Sequence, residues 1–293
     1  MSMPNYQVTH LCKCFLQIVP DKLFLKIMYY KNFKKYLSFS HLKTFNEKIQ
    51  YLKLYQTDQI FADLTDKYRV REFVAKKIPE DILIPLLWVG ENPEEIPYQA
   101  LPEKFIIKCN HGSEFNIIIY DKNSIDKNDI ILKLKNWLKE DFWTFLRENH
   151  YKKIRKKLIL IEELLPGEMG PLPIDYKIYC FHGNVTFLWL TLGRGSTQWI
   201  IAKLYDAEWN KQDFSLLSPI YDWEIPKPDN LEKIVKYAQI LSEGFPFVRV
   251  DLYNVKGKIY FGELTFTPFS GYAKFLPRPE EIDAQLWELL ILK

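Results

Sequence analysis

Two acidic residues near the end of the chain are spaced so that a β-hairpin could bring them together on a metal ion. A three-residue turn at 255–257 would pair Asn254 with Lys258 and set the register of the two strands. In that register Asp251 and Glu263 lie diagonally on one face of the hairpin. Carboxylate oxygens, together with phosphate oxygens, are the ligands that Mg²⁺ prefers. The hairpin therefore predicts a magnesium site beside a phosphate group.

Arg249 and Thr265 are predicted on the same face as these carboxylates, because alternate residues of a strand point the same way. An arginine there could stabilise the negative charge of a phosphoryl group in transfer. The same pattern is also typical of a plain salt bridge between Arg249 and Glu263 on a solvated sheet. The hairpin alone leaves both interpretations open.

A lysine followed by a small turn indicates a second candidate site. Lys108 interrupts the apolar strand 105–109, and Gly112-Ser113 follows it. Such a lysine often extends to solvent, but it could also reach a phosphate held by the backbone N–H groups of the turn. His111 could be a catalytic base or a structural hydrogen-bonding residue. The P-loop and G-x-G-x-x-G patterns are absent from the sequence.

The acidic end of a further strand could contact a nucleotide. The predicted strand 158–162 ends at Glu162, and a second acidic residue, Glu163, follows directly. A backbone segment at such a strand end can pair with the edge of an adenine, and a glutamate can bind ribose hydroxyls. An ordinary acidic strand end has the same appearance and is the commoner case.

Composition limits the classes of function. The chain has 293 residues with 47% hydrophobic content, enough for a large core or several smaller subdomains. Its net charge is only +3, which argues against a general nucleic-acid-binding protein. The four cysteines lack zinc-type spacing, so reduced thiols in a cytoplasmic protein are expected. The apolar, lysine-interrupted stretch 23–30 fits an amphipathic helix on a membrane or partner, or a core-packing helix.

Hydrophobic periodicity predicts a mixed protein of the α+β class, or of the α/β class in several small domains. A capping box at Thr44 and Glu47 begins one helix, and Asp229 and Glu232 are expected to form another. Two helices are predicted to start at residues 21 and 44. Four more are predicted at 65–78, 128–139, 229–242 and 280–290. The predicted strands and hairpins are 82–89, 105–109, 116–120, 158–162, 175–192 and 247–266.

Several segments in this order resemble the ATP-grasp superfamily, and more closely its TupA-like, polysaccharide-associated family. The resemblance covers most of the chain from about residue 35 onward. It rests on TFNEKIQYLK at 44–53, TDKYRVRE at 65–72, IKCNHGS at 107–113, IEE at 161–163, DYKIYCFHG at 175–183, and VRVDLY and FGELTF within 248–266.

The resemblance implies an α+β ATP-grasp fold in which two subdomains hold ATP after a helical N-terminal region. The implied domains are a helical region at 1–97, a lid subdomain at 98–165 and a catalytic subdomain at 166–293.

The resemblance also implies roles for particular residues. It implies phosphate contacts from Lys67 and Lys108, a phosphate-covering loop at Ser113, adenine contacts from Glu162, Glu163 and Leu165, ribose contact from Glu168, a phosphate-facing Lys177, magnesium ligation by Asp251, Glu263 and Thr265, and stabilisation of an acyl phosphate by Arg249.

The activity that the resemblance implies is a carboxylate–amine ligase that uses ATP and Mg²⁺ and forms an amide through an acyl phosphate. The expected substrates are a carbohydrate acceptor and an amino acid, joined in surface-polysaccharide synthesis in the cytoplasm or at the inner face of the membrane. A phosphotransferase acting on a sugar and a non-catalytic scaffold are the alternatives.

Two residues depart from the family pattern. Glu114 stands where the family loop continues with glycine, and Phe269 interrupts the family segment Thr-Pro-Gly-Ser-Gly. A carboxylate beside a triphosphate is unfavourable unless a cation offsets it. Phe269 is expected to reshape the acceptor pocket.

Overall fold

The computed structural model describes residues 18–193, 201–216 and 224–291. Cys12 and Cys14, which are expected to be reduced thiols, lie outside these ranges. Cys109 and Cys180 are buried free thiols.

Four helices form the first part of the described chain: α1 (Asp21–Phe33), α2 (Phe45–Tyr55), α3 (Gln59–Thr65) and α4 (Val70–Lys77). The predicted capping box of α2 is confirmed, because the Thr44 side chain accepts the Glu47 N–H and the Glu47 carboxylate accepts the Thr44 N–H. The helix predicted at 65–78 is confirmed from Val70 to Lys77, but its predicted start is wrong. Asp66 interrupts it, since its carboxylate accepts the backbone N–H groups of the two residues that follow Lys67.

The first sheet is antiparallel, with strand order β1-β4-β2-β3. Its strands are β1 (Leu86–Gly90), β2 (Phe105–Cys109), β3 (Asn116–Ile119) and β4 (Ile159–Glu163). Helix α5 (Lys127–Lys139) buries Ile130 and Leu134 against this sheet. The short helix α6 (Trp143–Leu146) and a 3₁₀ helix at 149–153 lead back to β4.

The second sheet is also antiparallel, with strand order β10-β9-β5-β6-β7. Its strands are β5 (Asp175–Phe181), β6 (Asn184–Leu192), β7 (Ile201–Tyr205), β9 (Phe247–Val255) and β10 (Lys258–Thr265). Helices α7 (Leu231–Ser242) and α8 (Pro279–Leu289) and a two-residue strand pair, β8 (Ser215–Leu216) with β11 (Phe275–Leu276), complete the described fold.

The capping box predicted for α7 is wrong. The helix begins one residue after Asn230, whose side chain makes no cap hydrogen bond. The Asn230 amide instead donates to the Gly257 carbonyl and to the Asn254 side chain. This residue therefore ties the start of α7 to the β9–β10 hairpin.

The two faces of the second sheet bury different clusters. Val248, Val250 and Leu252 of β9 point toward α7 in the largest apolar core. The opposite face carries Arg249 and Asp251, because side chains alternate along a strand. Polar groups of β9 are thereby collected on the face away from α7.

Strand β1 connects the predicted helical region to the next predicted domain. It lies within 1–97, and it pairs with β4, which lies within 98–165. The limits of the three predicted domains stay a prediction.

Helix α2 packs on the polar face of the second sheet through a cluster of aromatic rings. Phe45 is 1% exposed and lies 5.0 Å from the ring of Phe247, 5.8 Å from Phe181 and 6.4 Å from Phe275. Edge-to-face aromatic contacts add to the large apolar area that such rings bury.

We expect Phe45→Ala to lower the free energy of unfolding by about 3–5 kcal/mol, since it removes a buried ring and leaves a cavity. Urea titration followed by far-UV circular dichroism measures this change. Tyr36→Ala is the control, because Tyr36 is 87% exposed; its effect should stay within about 0.5 kcal/mol. Similar losses in both variants would contradict this account of the packing.

Candidate functional site

Arg249 holds two carboxylates together on the polar face of the second sheet. Its Nε donates to Asp251 Oδ1 at 2.6 Å and its Nη2 to Asp251 Oδ2 at 2.7 Å. The same Nη2 lies 3.0 Å from Glu263 Oε1 and 2.9 Å from the Thr265 hydroxyl. Thr265 in turn donates to Glu263 Oε1 at 3.0 Å. The four residues predicted on one face therefore form one hydrogen-bonded network.

The register of the β9–β10 hairpin differs from the prediction. The turn has two residues, Lys256 (φ 49°) and Gly257 (φ 78°), both in the left-handed region that suits a tight hairpin. A bulge at Gly262 then shifts the pairing, so that Glu263 lies directly opposite Asp251. A Cβ on Gly262 would approach the Asp251 carbonyl oxygen to 3.0 Å, which explains the glycine there.

Lys177 completes the positive charge around Asp251. Its Nζ lies 2.8 Å from Asp251 Oδ2 and 2.7 Å from Asp175 Oδ2. Strand β5 places it there, because Lys177 is the register partner of Asp251. Burial raises the pKa of the Asp251 carboxyl, against the opposing charges of Arg249 and Lys177.

Glu263 is the carboxylate that remains available to a cation. Its side chain is 42% exposed, and its Oε2 has no hydrogen-bond partner within the described residues. Burial of the carboxyl acts to raise its pKa. The charges of Arg249, and then of Lys67 and Lys177, outweigh burial and lower that pKa.

The donor set at this network fits magnesium. Hard carboxylate oxygens line it, and Mg²⁺ commonly binds through one or two carboxylates plus substrate phosphates. Among the described residues no cluster of three or more His, Cys, Asp or Glu side chains could hold a metal by itself. Both Asp251 oxygens already accept hydrogen bonds from cations, so a bound metal would have to share or replace these contacts.

Lys108 and Glu162 meet on the first sheet. Lys108 Nζ donates to Glu162 Oε2 at 2.6 Å, and Arg71 Nη1 donates to Glu162 Oε1 at 3.0 Å. The Glu162 side chain is only 8% exposed. A buried carboxylate between two cations means that the Glu162 charge is compensated where it is buried.

Lys67 contacts the loop between β2 and β3. Its Nζ donates to the Gly112 carbonyl at 2.5 Å. Burial lowers the pKa of Lys67, the charge of Glu263 opposes this, and Lys108 adds to it. Lys67 is thus within electrostatic reach of both the carboxylate network and the lysine of the first sheet.

The remaining residues predicted at the nucleotide differ in their burial and in their partners. Ser113 is exposed in the loop between β2 and β3, and Glu163 is exposed at the end of β4. Leu165 is buried with Ile84 and Val255. The Glu168 carboxylate accepts the backbone N–H of Lys256 at the hairpin turn. The turn lies four to five residues along the strand from Asp251, which corresponds to about 15 Å.

His111 fits the structural interpretation. It is 3% exposed, and its Nε2 hydrogen-bonds the Trp137 carbonyl at 3.0 Å. Burial lowers its pKa to about 4, so the imidazole is neutral at pH 7.

Both departures from the family pattern lie on left-handed backbone. Glu114 has φ 62° and Phe269 has φ 50°, and glycine is unstrained in that region. Phe269 packs 5.1 Å from the ring of Trp189 on β6. Family glycines at these positions would relieve backbone strain, whereas this chain carries a charge at one and an aromatic ring at the other.

Comparison with known proteins identifies the family. The sequence matches the TupA-like ATP-grasp profile over residues 47–291. This chain belongs to the TupA-like ATP-grasp family. The predicted family and the predicted α+β ATP-grasp fold are therefore confirmed. No curated protein matches the sequence.

Several solved structures are similar to this ATP-grasp chain. D-alanine–D-alanine ligase from Bacillus anthracis complexed with ATP has 15% identity and TM-score 0.44, covering 78% of this chain and 63% of that one. The ADP complex of PurK, an N5-carboxyaminoimidazole ribonucleotide synthetase, has 13% identity and TM-score 0.44, covering 75% and 50%. The ligase PsnB with minimal precursor, Mg and ADP has 13% identity and TM-score 0.37, covering 71% and 53%. The chain thus spans about half to three-fifths of their length.

Sequence reasoning missed residues that contact the predicted site residues or lie close to them. Arg71 and Asp175 are ion-pair partners of predicted site residues, and both stand in segments quoted for the family resemblance. Tyr151 lies within electrostatic reach of Glu263 and Arg249, and its pKa is raised by burial. No spacing pattern signals Tyr151, because its 3₁₀ helix reaches the site only through the tertiary fold.

A buried polar contact joins α2 to the turn that follows β10. Lys53 is fully buried and donates to Gln50 Oε1 at 3.0 Å and to the Ser270 carbonyl at 3.1 Å. Gln50 donates to the Ser270 and Gly271 carbonyls, each at 2.9 Å. Burial lowers the pKa of Lys53 to about 7, against the opposing charge of Glu148. The helical N-terminal region therefore holds the turn directly after the carboxylate network.

We expect Glu162→Ala to lower the free energy of unfolding by about 3 kcal/mol, because Lys108 and Arg71 would lose their shared buried counter-ion. Urea denaturation measures the change. Glu163→Ala, at the exposed neighbouring position, should change it by less than about 0.5 kcal/mol. Unchanged stability in Glu162→Ala, with only nucleotide affinity reduced, would show that the carboxylate acts on adenine and not on the fold.

We expect Glu114→Gly to raise the free energy of unfolding by about 0.5–1 kcal/mol, since glycine adopts the left-handed conformation without a Cβ clash. Glu114→Ala removes the same charge but keeps a Cβ, so it should give no such gain. Thermal and urea unfolding of both variants make the comparison. Equal gains would assign the effect to the charge instead of the backbone.

Proposed function

We propose that this protein is an ATP- and Mg²⁺-dependent carboxylate–amine ligase that forms an amide through an acyl phosphate. The observation that carries this proposal is the network in which Arg249 joins Asp251 and Glu263 on one face of the sheet. Two carboxylates and a guanidinium on a rigid hairpin suit a site that binds a metal–triphosphate and stabilises charge in phosphoryl transfer.

The proposed nucleotide lies between the two sheets. Lys67 and Lys108 would contact its phosphates from the side of the first sheet, with Ser113 in the loop over them. Glu162, Glu163 and Leu165 would border the adenine, and Glu168 the ribose. The support for this placement is that the Lys67 amino group contacts the Gly112 carbonyl, next to Ser113, and that the charges of Glu263 and Lys108 both act on its pKa.

Asp251 and Glu263, with Thr265 beside them, would hold magnesium, which when bound neutralises phosphate charge as a Lewis acid. A carboxylate oxygen of the first substrate then attacks the γ-phosphorus of ATP, and the bond to the ADP oxygen breaks. An amine nitrogen attacks the acyl phosphate carbon, inorganic phosphate leaves, and the amine loses a proton. Arg249 and Lys177 would stabilise the negative charge on the transferring phosphoryl group.

The proposed acceptor is a uronic-acid-containing carbohydrate, to which an amino acid is joined during synthesis of a surface polysaccharide or capsule in the cytoplasm. Two buried polar groups support an acceptor beside Lys177. The Trp189 indole N–H and the Thr191 hydroxyl have no hydrogen-bond partner within the described residues. Their register partners are Lys177 and Asp175, so they share the polar face of the sheet. Sugar hydroxyls could satisfy both groups.

We expect Glu263→Ala to abolish Mg²⁺-dependent ATP binding and to lower ADP release at least about a hundredfold, because a metal ligand worth several kcal/mol of charge stabilisation is lost. Calorimetry with ATP and Mg²⁺ measures binding. A coupled assay measures ADP release from uronic acids paired with amino acids.

Glu232→Ala is the matched control, since Glu232 is an exposed acid on α7 away from the site. Circular dichroism should show an intact fold in both variants. Wild-type turnover in Glu263→Ala would remove the metal assignment. ADP release with a neutral sugar alone would indicate a phosphotransferase, and a wild-type chain that binds no nucleotide would indicate a scaffold.

A further inference from the structure

Helix α1 turns an apolar stripe toward solvent. Leu23, Ile27 and Tyr30 recur at the spacing of one helix face and are 50%, 55% and 44% exposed. Ile18, before the helix, is 80% exposed, and Tyr36, after it, is 87% exposed. The stripe thus continues past the end of α1 to Tyr36, whose ring contacts that of Tyr30, and another exposed apolar side chain precedes the helix.

The opposite face of α1 is fixed to the protein. Phe24, Leu25 and Tyr29 are buried in a small core with Leu37. The Asp21 carboxylate at the start of the helix pairs with Arg147 at 3.0 Å. Because these contacts hold the inner face, the helix cannot bury its outer stripe by rotating.

The outer stripe is flanked by positive charge. Lys22, Lys26, Lys31 and Lys34 are exposed, and none has an ion-pair partner in the described part of the chain. The only acidic residue of α1 is Asp21, which is already paired. The Lys152 amino group lies 3.4 Å from the Asp21 carboxylate, beside the start of α1. The exposed Lys153 and Arg155 follow Lys152 in the chain and add positive charge near that end of the helix.

This combination fits a bilayer better than a soluble partner. A fixed amphipathic helix with apolar residues on its outer face and lysines beside them is typical of helices that lie in the membrane interface. Tyrosine rings favour the headgroup level, and Tyr30 and Tyr36 lie 5.2 Å apart at one end of the stripe. No helix in the described ranges has the length and apolar character to cross a membrane.

We propose that α1 binds the protein to the surface of an anionic lipid bilayer. Leu23, Ile27 and Tyr30 enter the boundary between headgroups and acyl chains. Lys22, Lys26, Lys31 and Lys34 extend to the anionic headgroups, with their methylene stems along the apolar stripe. This proposal does not depend on the ligase chemistry.

Sedimentation of the full chain with vesicles tests the proposal. The vesicles contain phosphatidylcholine alone, or phosphatidylcholine and phosphatidylglycerol in equal amounts. We expect binding to the anionic vesicles that weakens as salt is raised, and much weaker binding to the neutral ones. No binding to anionic vesicles, or equal binding to both kinds, would overturn the proposal.

Paired variants separate the two contributions. Leu23→Gln with Ile27→Gln should reduce the partition coefficient about tenfold or more, since two apolar side chains leave the interface. Lys22→Gln with Lys26→Gln should also reduce it, by about twenty-five-fold, because each lysine near an anionic surface contributes roughly fivefold. All four positions are exposed, so thermal unfolding should stay at the wild-type temperature.

Matched controls use similar residues on other helices. Leu132→Gln changes an apolar residue of α5 that is 60% exposed, and Lys133→Gln with Lys236→Gln changes two exposed lysines elsewhere. Controls that lose as much binding as the α1 variants would overturn the proposal. Sedimentation equilibrium adds an independent check: a dimer that Leu23→Gln with Ile27→Gln dissociates, without vesicle binding, would assign the stripe to self-association.

Discussion

The contact of Arg249 with two carboxylates is the interaction on which the polar face of the second sheet depends. Asp251 and Glu263 are direct partners across adjacent strands, where two bare carboxylates would repel each other. One guanidinium nitrogen within 3.0 Å of both removes that repulsion. The protein therefore carries a counter-ion of its own, and the carboxylates are already close together before any metal or nucleotide arrives.

The face of this hairpin was predictable from sequence although its register was not. The prediction used a three-residue turn, whereas the fold has a two-residue turn and a one-residue bulge at Gly262. Together these shift the pairing by two residues relative to the prediction. Since side chains alternate with a period of two, Arg249, Asp251 and Glu263 still share one face. The spacing of residues in the sequence does not indicate a β-bulge. The direct pairing of Asp251 with Glu263 could therefore not be predicted.

The fold and the site differ in how much of them was predictable. Alternating and helical apolar patterns placed most strands and helices, and Thr44 with Glu47 placed the start of α2. Ion pairs and hydrogen bonds between residues far apart in the chain could not be predicted from local sequence patterns. Arg71 and Glu162 are 91 positions apart, and Lys53 and Ser270 are 217 apart. Glu162, at the strand end predicted to contact adenine, therefore also joins α4 to β2 and β4 through its buried ion pairs with Arg71 and Lys108.

The contacts of α2 with the turn after β10 bear on where this chain could be divided. Gln50 and Lys53 hold the carbonyls of a turn with three successive left-handed residues, 269–271. Strand β1 likewise covers one side of β4. A fragment that began at residue 98 would lose both, leaving β4 with open backbone groups on one edge and the turn without its anchor. The amino-terminal third is therefore part of the packed ATP-grasp fold, and a cut at residue 98 would expose a strand edge through which separated fragments could pair and aggregate.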